Sequence, residues 1–125
     1  MHPANSLDSP AGRRLLKALR KVCASLPEVV EEIDGFGHTA FRVRKKSFVI
    51  AGMGEGGIAL SIKSDPTNQA LLVDRGPWYR TPYIGQHGWV SVDDPRKQDW
   101  PEIAELIVDG YRLAAPKRLA KLLPR

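Results

Sequence analysis

Three apolar runs with a period of two occupy the middle of the chain, and they limit the possible folds more than any other feature. Phe41 and Val43 alternate with Ala40, Arg42 and Arg44; Phe48 and Ile50 alternate with Val49; Ile58, Leu60 and Ile62 alternate with Ala59, Ser61 and Lys63. Successive side chains of a strand point to opposite faces, so this spacing predicts strands with one covered face. Arg44-Lys45-Lys46 and Gly52-Met53-Gly54-Glu55-Gly56-Gly57 interrupt the runs and read as hairpin turns. An antiparallel meander of three or four strands follows for Glu28 to Asp65.

On both sides of the meander the period becomes helical. Ser9-Pro10 is a start signal, a capping hydroxyl followed by a proline whose missing N–H costs nothing at the first helical position. Leu15, Leu19, Val22, Cys23 and Leu26 then mark one apolar face, and Pro27 ends the helix. Asp65-Pro66 opens a short second helix that Gly76 closes. From Trp78 to Val92 the prolines and glycines predict short edge strands and a loop. Asp99 with Glu102 begins a last long helix whose stripe is Ile103, Leu106, Ile107, Tyr111 and Ala114, and Pro116 stops it. Strands bracketed by helices predict an α+β domain over 10–115, with a flexible N-terminus at 1–9 and a basic tail, helical or frayed, at 116–125.

A length of 125 residues suits one domain and leaves little room for a separate catalytic part. The formal charge is +5, but its distribution says more. Arg13, Arg14, Lys17, Arg20 and Lys21 face only Asp8 before residue 26, and Arg112, Lys117, Arg118, Lys121 and Arg125 face no acid after residue 109. The middle, with nine bases and thirteen acids, is mildly negative. The excess is therefore terminal, and it supports an anionic partner only if the first and last helices lie beside the Arg42–Lys46 segment. No membrane segment is expected, since no stretch approaches the ~18 apolar residues of a span, and the polar start predicts a cytoplasmic protein.

Most chemical motifs are absent. The glycine cluster is followed by strand-like Ile58-Ala59-Leu60-Ser61-Ile62 and lacks the Lys-Ser/Thr of a phosphate loop. His2, His38, His87 and the single Cys23 lack metal-site spacing, so neither metal nor cofactor is expected, and Cys23 reads as a core residue. Ser61, Ser64 and Ser91 have no elbow-type glycine frame; Glu31-Glu32 and Asp93-Asp94 are adjacent and read as solvated surface. His38 is expected to orient the Gly35-Phe36-Gly37 turn or to touch a ligand.

The basic residues carry more. Arg42 and Arg44 share one strand face, Lys45 and Lys46 follow in the turn, and Lys63 and Arg80 belong to later strands. A ribbon with such residues outward can meet phosphates or enter a groove, although outward strand positions are polar in any case and edge lysines also deter aggregation. Trp78, Tyr79 and Tyr83 are placed either to stack on a planar ligand or to plug the core beneath their loop.

The ordered set Val22-Cys23-Ala24-Ser25-Leu26-Pro27-Glu28-Val29, Gly37-His38-Thr39-Ala40-Phe41-Arg42-Val43, Ile58-Ala59-Leu60-Ser61-Ile62-Lys63-Ser64-Asp65-Pro66, Thr81-Pro82-Tyr83-Ile84-Gly85, Gly88-Trp89-Val90-Ser91-Val92 and Glu105-Leu106-Ile107 with Tyr111 resembles the MmcQ/YjbR family, from about Leu15 to Ala114. The resemblance implies a CyaY/frataxin-like α+β fold, described as a double wing, and a DNA-binding role. His38, Phe41, Lys63, Pro82, Tyr83 and Trp89 match its recurrent positions. Frataxin-like iron handling is not expected, because the first helix is basic where an acidic ridge would be needed.

The leading expectation is a non-enzymatic, monomeric, cytoplasmic DNA-binding protein using Arg42, Arg44, Lys45, Lys46, Lys63 and Arg80. The alternative is a small-molecule or protein-partner module with a pocket formed by His38, Lys63, Trp78, Tyr83 and Trp89. A concave site holding His38 and Lys63 would favour the pocket; a free Arg42–Arg44 ribbon would favour DNA.

Overall fold

The Ser9 hydroxyl accepts the Gly12 amide at 3.0 Å, and helix α1 runs Pro10–Cys23 as its cap predicts. The structure, a computed structural model, describes residues 6–124. Strands β1 (Val29–Ile33), β2 (Thr39–Val43), β3 (Lys46–Gly54) and β4 (Gly57–Ile62) form the meander. Helix α2 (Pro66–Arg75), strands β5 (Tyr79–Arg80) and β6 (Val90–Asp93), and helices α3 (Trp100–Ala114) and α4 (Lys117–Ala120) follow. One antiparallel sheet in the order β1-β2-β3-β4-β6-β5 contains all six strands, so the α+β class holds and the late short strands extend the meander.

Two details of the strands differ from the alternation. Arg44 and Lys45 both have positive φ, 49° and 70°, and form the tight β2–β3 turn by themselves. Left-handed pairs are what the shortest hairpins require, because their twist matches that of the strands. Arg44 is therefore a turn residue and does not share a strand face with Arg42. Further on, Phe41 pairs with Val49 while Arg42 pairs with Ser47, which leaves Phe48 as a bulge. Phe48 and Val49 are both fully buried in consequence, where strict alternation would turn one of them outward.

α1 contributes Leu15, Leu19 and Cys23, and α3 contributes Ile103, Ile107, Tyr111 and Ala114, to a core completed by Phe41, Val49, Leu60, Ile62, Val90 and Val92 of the sheet. Residues paired across the other face are smaller and more polar. There Ser61 Oγ lies 2.7 Å from Ser91 Oγ, which lies 2.7 Å from Thr81 Oγ1. α3 approaches the sheet closely at Gly110, where a Cβ would stand 2.8 Å from the Lys63 carbonyl oxygen. Tyr111 meets Phe48 edge to face at 5.5 Å, and its hydroxyl donates to the Pro27 carbonyl at 2.7 Å.

Both expected tails are partly anchored. Leu7 is fully buried, and Ser6 Oγ donates to the Gly37 carbonyl at 2.9 Å and accepts the Met53 amide at 3.2 Å. Within the stretch expected to be flexible, 1–9, Ser6 and Leu7 thus contact the sheet, and Leu7 gains by burial; residues 1–5, with His2, lie outside the described residues. At the other end α4 is docked through Leu119, which is 4% exposed.

Cys23 is a core residue whose thiol burial pushes up to about 12, with Glu31 adding to the shift. Burial likewise moves the Tyr79 phenol to about 12, helped by its hydrogen bond to Asp93. Both groups hold their protons more tightly folded than unfolded, so their contribution is complete below the ordinary thiol value near 9 and is lost as pH rises toward 12. The urea midpoint should therefore fall between pH 8.5 and 11.5, and a flat profile there would contradict this burial.

Candidate nucleic-acid interface

Strand β1 and the residue before it place acids beside Arg42 of β2 and Arg44 of the turn. Glu28 accepts Arg44 Nε at 2.7 Å and Nη2 at 3.0 Å, a two-point fork. The fork holds the Glu28 carboxyl below its usual range, and the nearby Arg118 charge adds to it; the same contact raises Arg44. Arg42 Nε lies 4.0 Å from Glu32, and Glu31 takes Arg20 of α1 at 2.7 Å. The Arg42–Arg44 ribbon is thus balanced by its neighbouring strand and is not the free cationic surface its sequence suggests.

The turn beyond it is different. Lys45 and Lys46 are exposed and have no ion-pair partner among the described residues. Lys63 follows β4 and its amide bonds to the Phe48 carbonyl at 3.0 Å, which sets it beside the start of β3. Asp65, two residues on, is turned to cap α2 through the Asn68 amide at 2.8 Å. The Tyr111 contacts with Phe48 and Pro27 bring the end of α3, and with it α4, to this same end of the sheet. Arg112, Lys117 and Lys121 line a cleft of about 510 Å³ there with Ala120 and Leu123. Arg112 bonds to Asp109 at 3.4 Å and to the Pro124 carbonyl at 2.8 Å; Lys117, Arg118 and Lys121 are exposed.

Of the six sequence candidates, Lys45, Lys46 and Lys63 thus lie at one end without an ion-pair partner among the described residues, and Arg44 lies there held by Glu28. Arg80 does not join them. It lies on edge strand β5, with its stem packed over Gly85, four strand spacings or about 19 Å from β2. Lys117, Arg118 and Lys121 belong to the acid-free run after residue 109, whose bases the sequence marks only as a source of non-specific attraction; α3 packing reveals what lies beside it.

The pocket candidates do not converge. His38 sits beside Gly52, level with the start of β4, whereas Lys63 lies about 13 Å farther along that strand. Trp78 is a core residue whose indole N–H donates to Glu102 at 3.3 Å, Trp89 is buried, and Tyr83 is 94% exposed. Buried Gln69 organises their loop, donating to the Gly85 and Trp89 carbonyls at 2.7 and 2.9 Å. The Gly35-Phe36-Gly37 turn is organised by Asp34, whose Oδ1 accepts the Phe36 and His38 amides at 2.8 and 3.0 Å; the His38 ring stands 3.7 Å from the same carboxylate. Among the described residues there is no metal-binding group, and no helix is long and apolar enough to cross a membrane.

The family model YjbR matches residues 24–113, which takes in the whole sheet and nearly all of α3. The chain belongs to the YjbR family. Its fold is similar to the crystal structure of the Deinococcus radiodurans protein DR2400, described with the domain DUF419, at a TM-score of 0.69 and 25% identity over 87% of this chain and 88% of that one. No curated protein gives a match. Within this YjbR-family chain, α1 and α4 fall outside the matched span, so the helical half of the basic end is not part of what the family model covers.

Proposed function

We propose that this YjbR-family protein is a non-enzymatic DNA-binding protein, acting as a monomer in the cytoplasm, that holds duplex phosphates on the end built from the β2–β3 turn, Lys63 and α4. The observation that carries this reading is that Lys45, Lys46 and Lys63 stand without an ion-pair partner among the described residues at the end of the sheet where Lys117 and Lys121 line a cleft with Arg112, while Glu28 and Asp109 are each bonded to an arginine. Exposed lysines on short turns act as point charges that follow the phosphate backbone and carry no base readout. In this reading the β2–β3 hairpin is the wing, and its tip enters or straddles a groove.

If about four phosphates are neutralised, affinity for a labelled duplex should fall roughly a hundredfold between 50 and 200 mM salt. Fluorescence anisotropy measures this directly, and no binding at the lower salt would end the proposal. Glu28→Gln removes an acid and releases Arg44 toward the turn. It should tighten duplex binding by about threefold to tenfold, close to one added phosphate contact; unchanged affinity would place the Glu28 side of the turn outside the interface.

A further inference from the structure

At the end of the sheet far from Lys63, the first turns of α1, the start of β4 and the 3-10 turn Pro95–Lys97 enclose a second cleft, of about 270 Å³. Its apolar walls are Leu15, Ile58 and Pro95, and its rim carries Arg14, Arg96 and Lys97 against the single acid Asp94. The turn is fixed to the sheet, since the Asp94 amide donates to the Ile58 carbonyl at 2.9 Å and the Lys97 amide to the Asp94 carbonyl at 2.9 Å. Asp94 lies in the left-handed region at φ 47°, which aspartate tolerates better than most residues.

Arg96 is also pre-positioned, its guanidinium carbon 4.7 Å from the centroid of the Trp100 ring. Among the described residues none of Arg14, Arg96 and Lys97 has an ion-pair partner, although other arginines of the chain are paired with nearby carboxylates. Three unmatched cations around an apolar floor complement a molecule with one anionic end and one apolar end. The volume lies just under the roughly 300 Å³ where drug-sized sites begin, which suits a smaller guest.

We propose that this cleft binds a small organic carboxylate with a flat or branched apolar body, the apolar part against Leu15, Ile58 and Pro95 and the carboxylate between Arg14, Arg96 and Lys97. Guanidinium groups match carboxylates in a two-point fork, which makes the arginines the principal anchors. The site is distinct from the proposed duplex-binding end and does not depend on it.

Titration of the full chain with 2-naphthoate, followed by NMR, tests this. Saturable shifts are expected at the Ile58 and Lys97 amides and the Trp100 indole. The double substitution R96A/K97A, at two exposed positions, should weaken binding by about tenfold or more, the loss of one charge-assisted contact at least. R14A, at a third exposed position, should weaken it in the same direction. Neutral 2-naphthamide and acetate should each fail to saturate over the same range. Equal binding of the amide would show that the cations are not used, and equal binding of acetate that the apolar walls are not. Either result, or 2-naphthoate shifts confined to the Lys63 end, would overturn the assignment.

Discussion

Replacing Tyr111 with alanine should destabilise the fold by about 3–5 kcal/mol, as for other large buried aromatics. Tyr111 is fully buried, packs edge to face on Phe48 and bonds through its hydroxyl to the Pro27 carbonyl at 2.7 Å. The truncation removes the ring from three elements at once: α3, the bulge of β3 and the chain that leads into β1. Tyr111→Phe keeps the ring and loses only the hydrogen bond, so it should cost about 1 kcal/mol. With a urea slope of about 1–3 kcal/mol per molar, the alanine variant should move the midpoint down by more than about 1 M and the phenylalanine variant by a fraction of that. Similar shifts for the two would mean that the ring contributes little. Because Tyr111 joins α3 to the hairpin end, the alanine variant should also lose the register between α4 and the β2–β3 turn.

Neutralising Lys46, Lys117 and Lys121 together should abolish most duplex binding while leaving the fold intact. All three side chains are exposed and none is in an ion pair among the described residues, so their removal costs little stability. Each phosphate contact contributes about one to the salt slope, which corresponds to roughly tenfold in affinity near 0.1 M salt. Three lost contacts should therefore reduce affinity by about a thousandfold and flatten the salt dependence from about four to about one. The matched control is Arg42→Ala with Arg80→Ala: one of these residues stands beside Glu32 and the other lies across the sheet, so that pair should change affinity by less than about threefold. Loss on the control and retention on the lysine variant would reverse the proposed interface.

The class of fold was legible because its signals are local. Ser9, Asp65 and Asp99 each accept an amide three residues on, from Gly12, Asn68 and Glu102, and each opens the helix that its sequence predicts. The period-two runs became strands for the same reason, since alternation is a property of adjacent residues. The departures arise where more distant residues decide. The bulge at Phe48 depends on pairing with β2 and on the Tyr111 ring. The turn at Arg44-Lys45 is two residues long where the basic run spans three, because the tight left-handed pair completes the reversal before Lys46.

The candidate site was less legible, and for an electrostatic reason. A list of bases does not state which of them already has a carboxylate, and Arg44 finds Glu28 sixteen residues away. Nor does a sequence state which basic segments adjoin. Periodicity and capping, which act within about four residues, were enough to determine the elements and the α+β class. The tertiary structure alone decided which charges are available, because ion pairing and the docking of α4 beside the β2–β3 turn depend on contacts such as Tyr111 with Pro27, 84 residues apart in the chain.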